Sequence, residues 1–104
     1  MKTGFMVGLG ELLWDLLPAG RQLGGAPANF ACHAQALGGR AAVVSAVGCA
    51  ALGEEAAARL AARGPETGCV ARDPAHPTGT VPVEVPADGP PRYTIHTSVA
   101  WGFI

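Results

Sequence analysis

The order of apolar and helix-like segments most strongly limits the fold that this chain can adopt. Residues 41–47 read AAVVSAV, a continuous apolar run typical of a parallel strand that is covered on both faces. Segments 27–37 and 53–63 flank this run, and each has the periodicity and the terminal residues of a helix. A short strand is expected next, at 68–71. This alternation predicts an α/β fold in which right-handed crossovers build a parallel sheet.

The N-terminal segments fit the same plan. Residues 4–10, GFMVGLG, indicate a short buried strand, and WDLLP is expected to continue it to a stop at Pro18. Pro27 suits the first turn of a helix, where its missing N–H costs nothing. Phe30, Ala31, Ala34 and Leu37 are expected to fall on one face of that helix.

The pattern changes after Pro77 from helical to alternating. TGTVPVEVP and PRYTIH flank ADGPP, which predicts a β hairpin. Pro82 lacks an N–H and therefore indicates an edge strand or a partly exposed one. Residues 19–25, AGRQLGG, favour a glycine-punctuated loop or a short edge hairpin. The sequence thus predicts an α/β layer with a small β flap.

Composition and motifs argue against several classes of function. The net charge is −1, without the basic patch that nucleic acid or an anionic membrane would attract, and no apolar run has the roughly 18–20 residues of a membrane span. The three cysteines are too far apart to indicate a metal site or a disulfide framework. GLGELL lacks the third glycine of a dinucleotide fingerprint, and no phosphate loop is present. We expect a cytoplasmic protein.

Residues 22–31, QLGGAPANFA, are the first candidate site. Gly24 and Gly25 have no side chains, so a ligand can approach their backbone N–H groups at the start of a helix. Asn29 offers a donor and an acceptor, which suits a hydroxyl group. Equally, the stretch can be a glycine loop in which Asn29 caps the helix.

Acidic side chains near the first strand form the second candidate. Asp15 is expected near the carboxyl end of that strand, where open α/β sheets bind ligands. A carboxylate there can accept hydrogen bonds from two neighbouring sugar hydroxyls, although an exposed turn aspartate is the alternative. Glu11 is either a surface residue or a site residue.

These motifs resemble the N-terminal portion of the ribokinase-like (PfkB) carbohydrate kinases, and most closely the bacterial fructokinases. The resemblance covers nearly all 104 residues and rests on GLGELLWDLLP, GGAPANFA, VVSAVG and PTGTVPVEV. The family's first signature is matched by Gly24, Gly25, Pro27, Asn29, Ala31, Gly38 and Gly48. One departure is GCAALG at 48–53, where many members carry G-D-D-x-x-G.

The resemblance implies that residues 1–104 are the sugar-binding part of such a kinase, in a partial Rossmann-like sheet with a β lid. Asp15 would hold sugar hydroxyls, Gly24 and Gly25 would line the sugar, and Asn29 would bind another hydroxyl. Lid strands are expected at about 16–25 and 78–96. The family's G-A-G-D motif and its ATP site, which the complete enzyme uses with Mg²⁺, belong to a C-terminal half that this chain lacks. We therefore expect no catalytic, nucleotide-binding or metal-binding residue here and no kinase activity from this chain alone.

Three other interpretations stay open. The chain can be a non-catalytic sugar-binding or interaction module, or a truncated gene product. Within the family it can equally derive from a nucleoside kinase, since the motifs do not fix the substituent on the sugar. Its expected partners are a small-molecule sugar and either a second copy through the β lid or a C-terminal half on another chain.

Overall fold

A computed structural model describes residues 5–104, so Gly4, the first residue of the strand expected at 4–10, lies outside it. The elements, in chain order, are β1 Phe5–Leu9, β2 Leu13–Leu17, β3 Gly20–Gly24, α1 Ala26–Ala36, β4 Arg40–Gly48, α2 Ala51–Ala62, β5 Val70–Asp73, β6 Gly79–Glu84, β7 Arg92–Tyr93 and a 3₁₀ helix Ala100–Phe103. They form the predicted α/β fold with a small second sheet.

The central sheet consists of three parallel strands in the order β1-β4-β5. Its middle strand, β4, is the apolar run singled out in the sequence, and it pairs with β1 at Val43 and with β5 at Ser45. Strand β4 is buried along most of its length because it has a neighbour on each side. The prediction of a parallel sheet is confirmed.

The second sheet, which we call the lid sheet, has the order β3-β2-β6-β7. Strand β2 runs antiparallel to β3 and parallel to β6, while β6 and β7 form the predicted hairpin. Of the two alternatives for Pro82, the edge strand is wrong because β6 lies between two strands, whereas the partly exposed strand is confirmed. Pro82 is instead tolerated at the end of the β2 pairing, opposite Leu16, where it is partly exposed and its carbonyl accepts the N–H of Thr94.

The expectation of one continuous first strand is also wrong. Gly10 adopts a φ of 136°, a value that side chains disfavour, and its N–H donates to the carbonyl of Val44. The chain therefore turns at Gly10, and β2 enters the lid sheet instead of extending β1. Strand β1 is not buried either: Phe5, Val7 and Leu9 are exposed, because α1 packs on the opposite face of the strand, at Gly8.

Helix α1 lies on the central sheet through small residues. Its buried side chains are Ala28, Ala31 and Ala34, whereas Phe30 and Leu37, which were expected on the same face as Ala31 and Ala34, are exposed. The close approach is visible at Gly8, where any Cβ would overlap the backbone of Pro27. The main core lies beneath both helices and includes Leu12, Trp14, Leu23, Val43, Val47, Leu60 and Val70.

Helix α2 begins directly after β4. Its N-cap is Ala50, which makes no side-chain hydrogen bond to the first turn. Gly53 packs so closely against the carbonyl of Gly48 that a side chain there would overlap it, and Thr78 accepts the Gly48 N–H at 2.9 Å. These contacts connect α2, the end of β4 and the residue that precedes β6 of the lid sheet.

Candidate functional site

Strand β2 presents one face to the core and the other to a pocket, because successive side chains of a strand alternate. Trp14 is fully buried, and its indole N–H donates to the carbonyl of Leu52 at 3.0 Å. Its neighbours Leu13 and Asp15 therefore face the opposite side of the lid sheet. There Leu13 packs with Val81 and Val83 of β6.

A cavity of about 180 Å³ lies on this second face, and we call it the carboxylate pocket. Its walls are Glu11, Leu13, Asp15, Gly25, Ala26, Val81, Tyr93 and Ile95. The two acidic side chains are its charged groups. Two apolar side chains, Tyr93 and Ile95, come from β7 and the residues after it. The pocket thus combines carboxylate acceptors with an apolar wall, as sites for small polar molecules do.

Asp15 lies in the middle of β2, paired with Gln22 of β3 and Val81 of β6. Its expected place near the end of the first strand is wrong, because that strand ends at Leu9. Burial raises the pKa of the Asp15 carboxyl, and the negative charge of Glu11 raises it further. The structure thus holds two carboxylates near each other in one pocket, where hydrogen-bond donors of a ligand would relieve their repulsion.

Gly24 and Gly25 both lie against the acidic residues, and Gly25 is required there by its backbone conformation. A Cβ on Gly24 would lie 2.5 Å from the Asp15 carboxylate oxygen Oδ2. Gly25 has a φ of 109°, and a Cβ there would overlap the carbonyl of Glu11. The two glycines therefore let the start of α1 approach both acidic residues, and Gly25 also lines the pocket.

Asn29 is not among the residues that line the carboxylate pocket. It lies in the first turns of α1 with an exposed side chain, and its backbone N–H donates to the carbonyl of Gly25. The alternative in which Asn29 caps the helix is wrong, because the N-cap is Gly25 and no side-chain cap is formed. The binding of a hydroxyl by Asn29 stays a prediction.

Sequence reasoning missed the individual lid side chains. It assigned the segment 92–96 to the lid, but it did not separate Tyr93 and Ile95 from their neighbours. The alternation of the hairpin is the signal that could have found them, since residues two apart share a face. Glu11 was left undecided, and the structure places it in the pocket wall.

Two larger depressions lie elsewhere. One, of about 450 Å³, is an apolar hollow between β1 and α1, lined by Met6, Phe30, His33, Ala34, Leu37, Gly38 and Gly39. The other, of about 420 Å³, lies at the carboxyl ends of β4 and β5. There Asp73 accepts the Ala75 N–H and contacts the His76 ring at 2.9 Å, and these bonds lower the pKa of its carboxyl. The Asp73 carboxylate of the second depression is thus already paired within the protein.

Neither α-helix within residues 5–104 is long and apolar enough to cross a membrane. Within the same residues, His, Cys, Asp and Glu side chains form no group of three that could hold a metal ion.

A parallel sheet with helices, joined to a small lid sheet beside a pocket that two carboxylates line, defines an α/β protein. The family model of the pfkB family carbohydrate kinases matches residues 19–98. The chain therefore belongs to the pfkB family of carbohydrate kinases, as its motifs predicted.

Solved structures agree with this assignment. An uncharacterized sugar kinase from Pyrococcus horikoshii is 28% identical, with a TM-score of 0.86 over 92% of this chain. Fructokinase from Vibrio cholerae O395 is 28% identical in its apo form, with a TM-score of 0.85 over 96% of this chain. The same fructokinase in its fructose, ADP and calcium ion bound form has a TM-score of 0.82 over 98% of this chain, also at 28% identity.

This chain spans only about a third of these structures, covering 36% of the P. horikoshii kinase and 36% and 35% of the two V. cholerae chains. No curated protein matches the chain.

Proposed function

We propose that this chain forms the sugar-binding portion of a fructokinase-like carbohydrate kinase, and that the carboxylate pocket holds the sugar. The observation that carries the proposal is the position of Asp15, which faces the pocket from the centre of the lid sheet, with Tyr93 and Ile95 in the same wall. A fructokinase of the same fold is known with fructose bound.

The pocket suits a monosaccharide in size and chemistry. Its volume of about 180 Å³ is below the roughly 300–1,000 Å³ of sites for drug-sized ligands, which favours a single sugar ring over a nucleoside. Asp15 would accept hydrogen bonds from two sugar hydroxyls, each contributing on the order of 1.5–3 kcal/mol. Tyr93 and Ile95 would cover the apolar C–H face of the sugar.

Phosphoryl transfer would require the rest of a kinase domain. In the complete enzyme, ATP with Mg²⁺ would supply the γ-phosphoryl group, which is transferred to a sugar hydroxyl. The described residues offer no phosphate loop and no metal-binding group of three side chains, so we assign none of them to the nucleotide or the metal. The contribution of residues 5–104 is to bind and orient the acceptor sugar.

Calorimetric titration of the chain with fructose tests this proposal. We expect saturable binding that weakens about 10- to 100-fold in Asp15→Ala, since the variant loses charge-assisted hydrogen bonds. Asp88→Ala is the matched control, because it also replaces an aspartate by alanine, but in an exposed turn. Equal fructose affinity in the two variants would contradict the proposed site. We also expect no fructose phosphorylation by the isolated chain in the presence of Mg·ATP.

A further inference from the structure

The residue just before β6 supplies a hydrogen bond that the central sheet cannot supply. The N–H of Ser45 in β4 donates to the carbonyl of Cys69, on the β5 side of the sheet. Successive N–H groups of a strand point to alternate sides, so the N–H of Gly48 points away from β5, where β1 has already ended opposite Val44. The Thr78 side-chain oxygen accepts this N–H at 2.9 Å, which satisfies a buried donor without a strand partner.

The Thr78 hydroxyl lies in a space that two glycines leave open. Thr78 is buried, and a Cβ on Gly53 would lie 2.9 Å from its hydroxyl oxygen. A Cβ on Gly48 would lie 2.9 Å from its backbone nitrogen. The end of β4 and the first turn of α2 thus fit closely around this one side chain.

The C-terminal 3₁₀ helix holds the residues on either side of Thr78. The Ala100 N–H donates to the carbonyl of Pro77 at 2.7 Å. The Trp101 ring lies so close to Gly79 that a Cβ there would be 2.7 Å from the ring atom Cδ1. Strand β6 therefore begins at a point fixed between the end of β4 and the 3₁₀ helix.

The fixed start of β6 lies close in sequence to a wall of the carboxylate pocket. In the lid sheet Gly79 pairs with Leu13, and two residues further on Val81 pairs with Asp15. Val81 and Asp15 both line the carboxylate pocket. Thr78 lies outside it, in the depression at the carboxyl ends of β4 and β5.

We propose that Thr78 and Trp101 are positioning residues for the carboxylate pocket. They anchor the start of β6, and β6 in turn holds Val81 beside Asp15, so that neither of them needs to touch the sugar. A binding site keeps its affinity only while the surrounding residues hold its walls in the productive geometry. This inference rests on the proposed function, since it concerns how the same pocket is held in shape.

Calorimetric titrations of Thr78 variants with fructose test the inference. Thr78→Val keeps the shape of the side chain but cannot accept the Gly48 N–H, so fructose binding should weaken about three- to tenfold, as for one lost hydrogen bond. Thr78→Ser keeps the acceptor and should bind fructose within about twofold of the wild type. Thr80→Val is the control, because it makes the same change inside β6 at a partly exposed residue outside the pocket.

Denaturant titrations of the same variants separate positioning from a purely structural role. Thr78→Val leaves a buried N–H without its acceptor and should lose stability under either role. A folded Thr78→Val that binds fructose as tightly as Thr80→Val, or a loss of affinity that Thr78→Ser shares, would overturn the inference alone.

Trp101→Leu gives a second test that leaves the Thr78 hydrogen bond in place. It removes the ring from Gly79 and should also weaken fructose binding about three- to tenfold, because the start of β6 is then held on one side only. Phe103→Leu is its control, since Phe103 is an exposed aromatic residue of the same 3₁₀ helix. Equal fructose affinity in these two variants would contradict the inference, whereas a folded wild-type protein that binds no fructose would overturn the proposed function as well.

Discussion

Asp15, the proposed sugar-binding residue, is held at a cost to the free energy of the unbound protein. Its carboxylate shares a pocket with Glu11, and burial and that neighbouring charge raise its pKa. Two acceptors facing each other suit a ligand that brings donors, whereas they repel each other when the pocket holds none. The arrangement is therefore better explained by binding than by folding.

The raised pKa of Asp15 leads to a prediction about stability. Because the folded protein holds the Asp15 proton more tightly than the unfolded chain, this residue's contribution to stability is full in acid and is lost as pH rises through the raised pKa. At neutral pH, the free energy of unfolding of Asp15→Asn should therefore equal or exceed that of the wild type. We expect a gain below about 1 kcal/mol, since the group is largely solvated.

Denaturant titrations from about pH 3 to about pH 7 check this result, because that range covers the titration of carboxyl groups. The difference between Asp15→Asn and the wild type should shrink toward acidic pH. A difference that grows toward acidic pH would show that the carboxylate is stabilised in the fold, contrary to this account.

A second prediction at the residue scale concerns Gly24. A Cβ at this position would meet the end of the Asp15 side chain, which can move, and not a rigid backbone atom. Gly24→Ala should therefore fold but displace the carboxylate, and fructose binding should weaken by about tenfold or more, as expected for a lost charged hydrogen bond. Calorimetry with Gly68→Ala as control measures this, since nothing lies within 4 Å of a Cβ at Gly68. Equal fructose affinity in the two variants would contradict it.

At the scale of elements, α2 starts without a capping side chain. The N-cap is Ala50, and it makes no side-chain hydrogen bond to the first turn. An acidic side chain here could accept a hydrogen bond from a free N–H of the first turn and would interact favourably with the helix dipole. Ala50→Asp should therefore raise the free energy of unfolding by about 1 kcal/mol.

Thermal or denaturant unfolding measures the effect of Ala50→Asp. The control is Ala58→Asp, an exposed position inside the same helix, where aspartate has lower helix propensity and no cap to form. That variant should be slightly destabilised. A loss of stability in Ala50→Asp that matches the loss in Ala58→Asp would mean that this helix start does not need a cap.

The elements with clear periodicity could be predicted from the sequence, and those that depend on long-range contacts could not. Strand β4, both helices and the hairpin of β6 and β7 follow from apolar patterns and turn residues. The break at Gly10 was missed because apolar residues continue on both sides of it. The exposure of Phe30 was missed because helical spacing alone does not show which side of α1 meets the sheet.

The candidate site was predictable as a set of motifs but not as a geometry. Asp15, Gly24 and Gly25 do come together in the fold, although for a different reason from the one expected. The glycines were expected to let a ligand approach their backbone. In the structure they let Asp15 and Glu11 approach it. The place of Glu11 depends on the turn between β1 and β2, which no local pattern indicates.

At the scale of the whole molecule, β1 is one of the two edge strands of the central sheet among the described residues. Strand β1 pairs only with β4, and the exposed Phe5, Val7 and Leu9 lie two residues apart on it. Parallel strands are usually covered on both faces, and open edges favour association with another chain. We infer that β1 and the hollow beside α1 are where the remaining part of a kinase domain would pack.

The open edge predicts concentration-dependent association of the isolated chain. Val7→Lys with Leu9→Lys should reduce that association, because charged side chains on an edge strand oppose pairing. Sedimentation velocity at several concentrations measures the effect, with Val85→Lys as a control at another exposed apolar residue. Association that is equal in the double variant and the control would show that β1 is not the contacting surface.

The most direct test of the central claim is an NMR titration of the isotopically labelled chain with fructose. The account predicts saturable shifts at the backbone amides of Gly24, Gly25, Ala26 and Tyr93, in and beside the carboxylate pocket. The amides of Cys49 and His76 serve as internal controls, because they line the separate depression at the ends of β4 and β5. Saturable shifts confined to that depression, or none at all in the folded protein, would contradict the assignment of the carboxylate pocket as the sugar site.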